Sequence, residues 1–379
     1  MKYSVIILNY NVKYFVDACL YTVLKAAEGH AVEIIVADNN STDASRSYLP
    51  SKYPNVKFLW FDQNLGFAKA YNRAVKTAKG QFILILNPDT LVSEDFFDVL
   101  DAFISKHLDF GIVGGQMIDG TGRFLPESKR NIPQPISIFS KLTGLDRILR
   151  FAPFNRYYAT VLSPDETGKV AVLTGAFMCL PKKVYEKIGG FDEQYFMYGE
   201  DIDLSYRVLQ SGLNNYYLHT AKIIHFKGES AGKTAQYYKN FYTSTIQFYR
   251  KHFKSNRLVE FLGRYLLKMW LAIRLIKKTS PKKALDFNKI YFLGAKKHMP
   301  QIYPYFPSAE WISNIPDNFD KHSLLIFDMD YLSVSKIIII MRQLKDYPVS
   351  FRFFFPSRKM ILGSDSKDHL GEVLLPDKF

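Results

Sequence analysis

The chain has 379 residues, 47% of them hydrophobic and 16% aromatic, which is enough for two or three folded domains. Charged residues of both signs make up 23% of the sequence and exclude an intrinsically disordered protein. The two cysteines, Cys19 and Cys179, form no Cys-x-x-Cys pair, which excludes a disulfide framework and a cysteine-rich metal site. Residues 1–8 contain no cleavable signal, so we expect a cytoplasmic protein.

The net charge of +14 is concentrated in one stretch of the chain. Between Lys222 and Lys297 there are 18 lysines and arginines against 3 acidic residues, so the remainder is close to neutral. Such an excess is typical of proteins that bind nucleic acid and of proteins that touch an anionic membrane. The stretch contains no RRM, KH or zinc-finger pattern, which favours the membrane and argues against a nucleic-acid partner.

The first 115 residues alternate short apolar strands with amphipathic helices. The predicted strands are Ser4–Leu8, Val32–Ala37, Val56–Phe61, Phe82–Leu86 and Ile112–Gly115, and the predicted helices are Tyr14–Ala27, Ala44–Leu49, Ala68–Ala78 and Asp95–Ser105. This alternation predicts an α/β fold, a mostly parallel sheet with helices on both faces. Ligands bind such sheets at the carboxyl ends of the strands, where this chain has Asn9-Tyr10-Asn11, Asp38-Asn39-Asn40 and Asn87-Pro88-Asp89.

The middle of the chain is more varied. Residues 119–169 are rich in proline and predict loops, and helices are predicted at Lys182–Ile188 and Asp201–Gln210. Residues 236–279 are predicted to form a helical segment. Within it, residues 258–278 would form a helix with a broad apolar face and a basic flank. This helix either packs on the protein's own core or lies on an anionic membrane surface, and the local charge favours the membrane.

Residues 280–379 predict a second, smaller α/β domain. Its predicted strands are Lys289–Leu293, Ser323–Phe327 and Val349–Phe355, with a helix at Val334–Leu344. Gly294 follows the first strand without a G-x-G-x-x-G pattern, so a dinucleotide site is not supported. This part resembles the Rossmann-like N-terminal domain of bacterial polyprenyl-phosphate sugar-phosphate transferases. The predicted organisation is therefore an α/β domain at 1–235, a basic helical segment at 236–279 and a smaller accessory domain at 280–379.

Several polar residues are candidates for a site, each with a structural alternative. Asp38 offers a carboxylate to a nucleotide base at a strand end, although Ser41 or Asp43 there equally suits the cap of the next helix. Taken alone, the capping interpretation is the stronger. Gly66, just before a helix, lets the backbone approach an anionic ligand, although turns before helices often contain glycine.

Acidic residues and one histidine are candidates for metal binding and catalysis. Asp89, held by the fixed φ of Pro88, suits a hard divalent cation, and His225 would complete such a site. The alternatives are an ordinary Pro-Asp turn and a structural histidine. Glu200, Asp201 and Asp203 begin a predicted helix, where one of them serves as a catalytic base or all of them stabilise the helix start.

In order and spacing, these motifs resemble one family. The matching segments are Ser4–Asn11, Val36–Asp43, Asn64–Ala68, Asn87–Thr90, Thr174–Ala176, Gly190–Asp192 and Gly199–Leu204. Over residues 4–232 the chain resembles a family 2 glycosyltransferase of the GT-A fold, in the branch of the bacterial rhamnosyltransferases. Asn87 stands at the first acidic position of the family's metal-binding D-x-D motif, a departure that this branch shares.

The resemblance implies a nucleoside diphosphate-sugar donor, either dTDP-rhamnose or a UDP-sugar. The implied donor-binding residues are Asn9, Tyr10, Asp38, Asn40, Gly66, Asn87 and Gly175. Asp89 and His225 are implied to bind Mg²⁺ or Mn²⁺. Asp201 is implied to be the catalytic base, with Glu200 beside it.

The implied reaction inverts the anomeric carbon in one displacement, because Asp201 deprotonates an acceptor hydroxyl that attacks opposite the diphosphate. The expected acceptor is a glycan or a polyprenyl-linked sugar of cell-surface polysaccharide synthesis. The expected location is the inner face of the cytoplasmic membrane, contacted through 236–279. A non-catalytic nucleotide-sugar-binding or scaffolding protein is the alternative, and the presence of Asp89, Glu200 and Asp201 counts against it.

Overall fold

Two β-sheets with surrounding helices form the structure, a computed structural model that describes residues 1–134, 140, 157–226, 235–253, 287–366 and 371–376. The strands are β1 (Tyr3–Asn9), β2 (Val32–Asp38), β3 (Lys57–Trp60), β4 (Phe82–Leu86), β5 (Thr90–Val92), β6 (Phe110–Ile118), β7 (Gly168–Val170), β8 (Phe177–Pro181), β9 (Asn214–His225), β10 (Lys289–Leu293), β11 (Glu310–Ile312), β12 (Ser323–Asp328), β13 (Val349–Phe355), β14 (Met360–Gly363) and β15 (Glu372–Leu374). The α-helices are α1 (Lys13–Ala26), α2 (Ser45–Lys52), α3 (Gly66–Val75), α4 (Phe96–Ile104), α5 (Lys182–Lys187), α6 (Glu200–Gln210), α7 (Ala235–His252), α8 (Met299–Ile302) and α9 (Val334–Leu344).

The first sheet has the strand order β3-β2-β1-β4-β8-β6-β9-β5, with β7 paired to β9. Strands β3, β2, β1 and β4 are parallel, and β9 is parallel to β6. The prediction of an α/β fold with a parallel central sheet is confirmed. Three of the described strands depart from the parallel arrangement. Strands β5 and β7 pair antiparallel with β9, and β8 enters antiparallel between β4 and β6, where it separates two strands that are consecutive in the predicted pattern.

Alternation of side chains in the buried strands places helices on both faces of this sheet. In β1, Val5 and Ile7 pack into one hydrophobic cluster, whereas Ile6 packs into another. Helix α1 fills the first cluster through residues such as Val16 and Leu20, and α3 fills the second. Strands buried on both faces explain the continuous apolar runs in the sequence.

The second sheet has the order β11-β10-β12-β13-β14-β15, with β14 and β15 antiparallel at one end. The predicted strands and helix of this region are confirmed. Both sheets contribute to one hydrophobic cluster. In it the Phe226 ring contacts Phe15 at 5.5 Å and Phe353 at 5.2 Å between centroids. Arg358 also reaches the buried Asp17 of α1, with Nε 3.1 Å from Oδ1.

Helix α7 confirms the helical prediction at the beginning of the basic segment. The amphipathic stretch 258–278 lies outside the described residues, as does the predicted boundary at 279, so both remain predictions. No helix within the described part of the chain is long and apolar enough to cross a membrane.

Candidate active site

Side chains join the carboxyl ends of β1 and β2. Asn9 Nδ2 donates to Asp38 Oδ2 at 2.6 Å and to Ser45 Oγ at 2.8 Å. The backbone N–H of Ser41 donates to Asp38 Oδ1 at 2.8 Å. Each Asp38 oxygen thus keeps a second lone pair for a ligand. Asn9, predicted to contact the donor, is fully buried and supports Asp38, and its contact with a donor remains a prediction.

The capping alternative applies to Asp43 and not to Ser41. Asp43 Oδ1 accepts from the backbone N–H of Ser45 at the start of α2, at 3.1 Å, and Oδ2 accepts from that of Lys13 at the start of α1, at 2.8 Å. One carboxylate therefore satisfies N–H groups of two helix starts. In the same two turns Tyr10 is half-buried and Asn40 is exposed with φ of 64°, so both lie at the surface of this edge.

Gly66 is needed for a close approach within the chain itself. It has φ of 75°, and a Cβ atom there would lie 2.4 Å from the carbonyl oxygen of Phe196. That oxygen accepts from the N–H of Phe67 at 2.8 Å. The glycine is therefore required by the backbone of residue 196, and its approach to a ligand remains a prediction.

Asp89 and His225 face each other at the ends of β4 and β9. His225 Nε2 lies 3.2 Å from Asp89 Oδ1 and 3.3 Å from Asn87 Nδ2, and both Asp89 and His225 are buried. The pairing of Thr90 with His225 between β5 and β9 fixes this arrangement. Two residues 136 positions apart in the chain, predicted as metal ligands, are therefore brought together.

The geometry of this pair fits a divalent cation. Two ligands at right angles, each about 2.1 Å from a metal, lie about 3 Å apart, close to the observed Nε2–Oδ1 separation. Buried His225 Nδ1 has no hydrogen-bond partner among the described residues. No three His, Cys, Asp or Glu side chains of the described residues form a metal cluster. A cation held here would therefore take most of its oxygen ligands from substrate phosphate and water.

The three acidic residues of α6 have three different environments. Asp203 is fully buried, with Arg207 Nε at 2.7 Å, Lys251 Nζ at 2.8 Å and His252 Nε2 at 2.6 Å. Burial alone would raise its pKa, but the charge of Arg207 and the hydrogen bonds from these three side chains hold the pKa of Asp203 below the usual range. Since Lys251 and His252 belong to α7, Asp203 fastens the beginning of the basic segment to α6. Its role is structural.

Asp201 and Glu200 are adjacent but have different surroundings. Asp201 Oδ2 accepts from Arg130 Nη2 at 2.5 Å and from the N–H of Gly175 at 3.2 Å, and Oδ1 accepts from the N–H of Ile202 at 2.8 Å. These three donors fix the orientation of the carboxylate. Glu200 Oε2 is buried without a partner among the described residues. Burial, and then the charge of Asp201, raise the pKa of Glu200 to about 8.

A short segment connects the acidic pair to the metal candidates. Gly175 contacts Asp201, and the next residue, Ala176, accepts from the N–H of Asn87 at 3.0 Å. Asn87 in turn contacts His225. Asp89 and Asp201 therefore lie along one edge of the sheet, as the mechanism implied by the resemblance requires. Gly175, predicted to bind the donor, has its N–H engaged by Asp201.

Sequence reasoning missed Arg130. It lies in the loop-rich stretch 119–169, where no periodic pattern marks a residue as buried. The only available signal was the charge itself, in a stretch with many basic neighbours.

Comparisons with known proteins show the family to which the chain belongs. Residues 4–189 match the family model described as glycosyl transferase family 2, and residues 156–229 match one described as N-terminal domain of galactosyltransferase. The N-acetylglucosaminyl-diphospho-decaprenol L-rhamnosyltransferase of Mycobacterium tuberculosis is 30% identical over 226 residues, which cover 55% of this chain and 71% of that protein. The chain belongs to glycosyl transferase family 2.

Other relatives of this family 2 glycosyltransferase carry similar names. Rhamnosyltransferase WbbL of Escherichia coli K12 is 27% identical over 207 residues, covering 53% of this chain and 75% of that protein. A crystal structure of GalNAc-T7 with UDP, GalNAc and Mn²⁺ has a TM-score of 0.47 and 17% identity, over 65% of this chain and 48% of the other. The sequence relatives support the assignment of glycosyltransferase activity. They argue against the alternative of a non-catalytic nucleotide-sugar-binding or scaffolding protein.

Proposed function

We propose that this glycosyltransferase inverts the anomeric carbon of a nucleoside diphosphate-sugar, with Asp201 as the base. The observation that carries the proposal is the difference in environment between two adjacent carboxyl groups. Asp201 is oriented by three donors, whereas the pKa of Glu200 is raised to about 8 by burial and by the charge of Asp201. Neighbouring carboxyl groups in such different environments are typical of acid–base sites.

The residues of the chain have separate tasks in this reaction. Asp201 accepts the proton of an acceptor hydroxyl, and the resulting oxygen attacks the anomeric carbon from the side opposite the diphosphate. Asp38, Tyr10 and Asn40 bind the nucleoside at the ends of β1 and β2. Asp89 and His225 would hold Mg²⁺ or Mn²⁺, which supplies positive charge for the departing diphosphate.

The names of the relatives support a donor and an acceptor class. Two relatives are called rhamnosyltransferases, which supports dTDP-rhamnose as the donor, with a UDP-sugar as the other candidate. The name of the mycobacterial relative describes a sugar linked through diphosphate to a polyprenol, which supports a lipid-linked acceptor. The product then belongs to cell-surface polysaccharide synthesis.

Such an acceptor is presented at a membrane, and the chain has a segment suited to that surface. The excess of 18 basic over 3 acidic residues between Lys222 and Lys297 supports peripheral contact with anionic lipid through 236–279, on the inner face of the cytoplasmic membrane. Flotation with phosphatidylglycerol vesicles, weakened by salt, is the expected result. Equal flotation with neutral vesicles would contradict an electrostatic contact.

The test of the reaction is a panel of nucleotide-sugars offered with a polyprenyl diphosphate-linked N-acetylglucosamine. We expect transfer from one donor, stimulated by Mg²⁺ or Mn²⁺, and a product whose anomeric configuration by NMR is opposite to that of the donor. A product with retained configuration would exclude the single displacement. Transfer by Asp201→Asn at the wild-type rate would remove Asp201 from the mechanism.

A further inference from the structure

Asp201 receives its strongest contact from a side chain outside its own helix. The guanidinium of Arg130 lies 2.5 Å from Asp201 Oδ2 and donates to the carbonyl oxygen of Leu173 at 2.7 Å. Side-chain exposure is 8% for Arg130 and 13% for Asp201. The guanidinium is thus enclosed by protein, so it is placed to act on Asp201 and not to contact a substrate.

Backbone pairing holds Arg130 in place. Its N–H and carbonyl groups exchange two hydrogen bonds of 2.9 Å with Val172, and Tyr157 from the neighbouring segment hydrogen-bonds to its side chain. A side chain that is held by several hydrogen bonds can fix the orientation of its neighbour. Among the residues that the structure describes, the charged groups that act on Asp201 are therefore Arg130 and the acidic neighbour Glu200.

We propose that Arg130 is the positioning residue of the catalytic base: it orients the Asp201 carboxylate toward the acceptor and places a positive charge beside it. The inference rests on the proposed function, since it assumes that Asp201 is the base. Without a cation at this place, the neighbouring Glu200 and the low polarity of the site would favour protonated Asp201. A carboxyl group that holds its own proton cannot accept one from the acceptor.

The experiment compares Arg130→Met and Arg130→Lys with a matched control, Lys129→Met. Lys129 lies on the same segment, and its Nζ donates to the carbonyl oxygens of Ala159 and Leu162, away from Asp201. For Arg130→Met we expect kcat to fall about ten- to a hundred-fold with an unchanged KM for the donor. We expect the acidic limb of its pH–rate profile to move up by about one pH unit or more. Arg130→Lys should lie between wild type and Arg130→Met.

A purely structural role of Arg130 predicts a different pattern. Arg130→Met and Lys129→Met would then lose stability and activity together, with pH profiles that keep the wild-type shape. That result would overturn the inference.

A second readout needs no enzymatic activity. Aspartate carboxyl carbons labelled with ¹³C are titrated by NMR, and the Asp201 resonance is assigned from its loss in Asp201→Asn. We expect Arg130→Lys and Arg130→Met to raise the Asp201 pKa and Lys129→Met to leave it unchanged. A raised pKa in a protein that transfers no sugar would overturn the proposed function alone. An unchanged pKa in an active enzyme would overturn the role of Arg130 alone.

Discussion

The carboxyl ends of the parallel strands carry acidic residues in both sheets, yet the two edges differ. In the second sheet, Asp328 is fully buried, and its carboxylate accepts from the N–H of Ala295 at 3.0 Å, from His298 Nδ1 at 2.8 Å and from the N–H of Asp330 at 3.0 Å. Helix α1 contacts this edge, since Lys25 Nζ donates to the carbonyl oxygen of Met329 at 3.0 Å. In the first sheet, buried atoms of Glu200 and His225 have no partner among the described residues.

On the proposed function, this difference distinguishes a structural edge from a catalytic one. Burying a polar atom without a hydrogen bond costs free energy, so folded proteins rarely keep such atoms without a functional reason. Similar topology and similar residue types therefore predict where a site can be. The polar atoms that the fold leaves unsatisfied indicate which edge is used.

The largest effect is expected for Asp201→Asn. The amide cannot accept the acceptor proton, so kcat should fall by about 10²–10⁴-fold, measured as product formed at saturating donor. Asp328→Asn is the matched change at the other edge and should leave kcat within about two-fold, because α1 and the Asp328 partners close that edge. Comparable losses of kcat in both variants would break the distinction between the edges.

Asp89→Asn should weaken donor binding only when a divalent cation is present. We expect the Kd of the nucleoside diphosphate to rise at least about ten-fold in Mn²⁺, because the variant lacks the Asp89 carboxylate that is proposed to bind the cation. With EDTA in place of Mn²⁺, the variant and the wild type should have the same Kd by calorimetry. A similar rise in both conditions would point to a direct nucleotide contact of Asp89 instead.

Asp328→Asn should lower the free energy of unfolding by about 1–3 kcal/mol. The amide NH₂ of the variant would face N–H groups whose hydrogen bonds the carboxylate accepts in the wild type. Urea denaturation followed by circular dichroism measures the change. A neutral result would show that the partners of Asp328 rearrange around the amide at little cost.

Glu200→Gln should instead raise the stability of the folded protein, by an amount that depends on pH. Because the folded-state pKa of Glu200 is raised from 4.5 to about 8, folded protein keeps a proton that unfolded protein releases in this window. Wild-type stability contributed by this group is therefore complete below pH 4.5 and is lost as the pH rises toward 8. The glutamine variant should melt about 2–4 °C higher at pH 8.5 and at the wild-type temperature near pH 4. Parallel melting curves across this range would contradict a neutral Glu200.

Much of this molecule was predictable from local sequence patterns. Buried strands such as Phe82–Leu86 have continuous apolar runs, and their polar ends meet because parallel strands end at one edge. The insertion of β8 beside β4 was not predictable, because a strand's neighbour depends on long-range packing. The same holds for Arg130, whose burial depends on pairing with Val172 across 42 positions of chain.

The three acids of α6 show the same limit within a few residues. Their spacing marks a site or a helix start, but only the neighbours from other elements assign a role to each one. Asp203 contacts Lys251 of α7, Asp201 contacts Arg130, and the Glu200 carboxyl oxygen Oε2 contacts no donor in the described part of the chain. Contacts of that kind are set by tertiary structure and leave no mark in the local pattern.

The aromatic contacts of Phe226 with Phe15 and Phe353 have a practical consequence for recombining relatives. A chimera that exchanges residues 287–376 must also carry the matching side of α1, including Asp17, whose partner Arg358 comes from the exchanged part. Shortened chains without the second sheet would bare this aromatic surface to water and would self-associate.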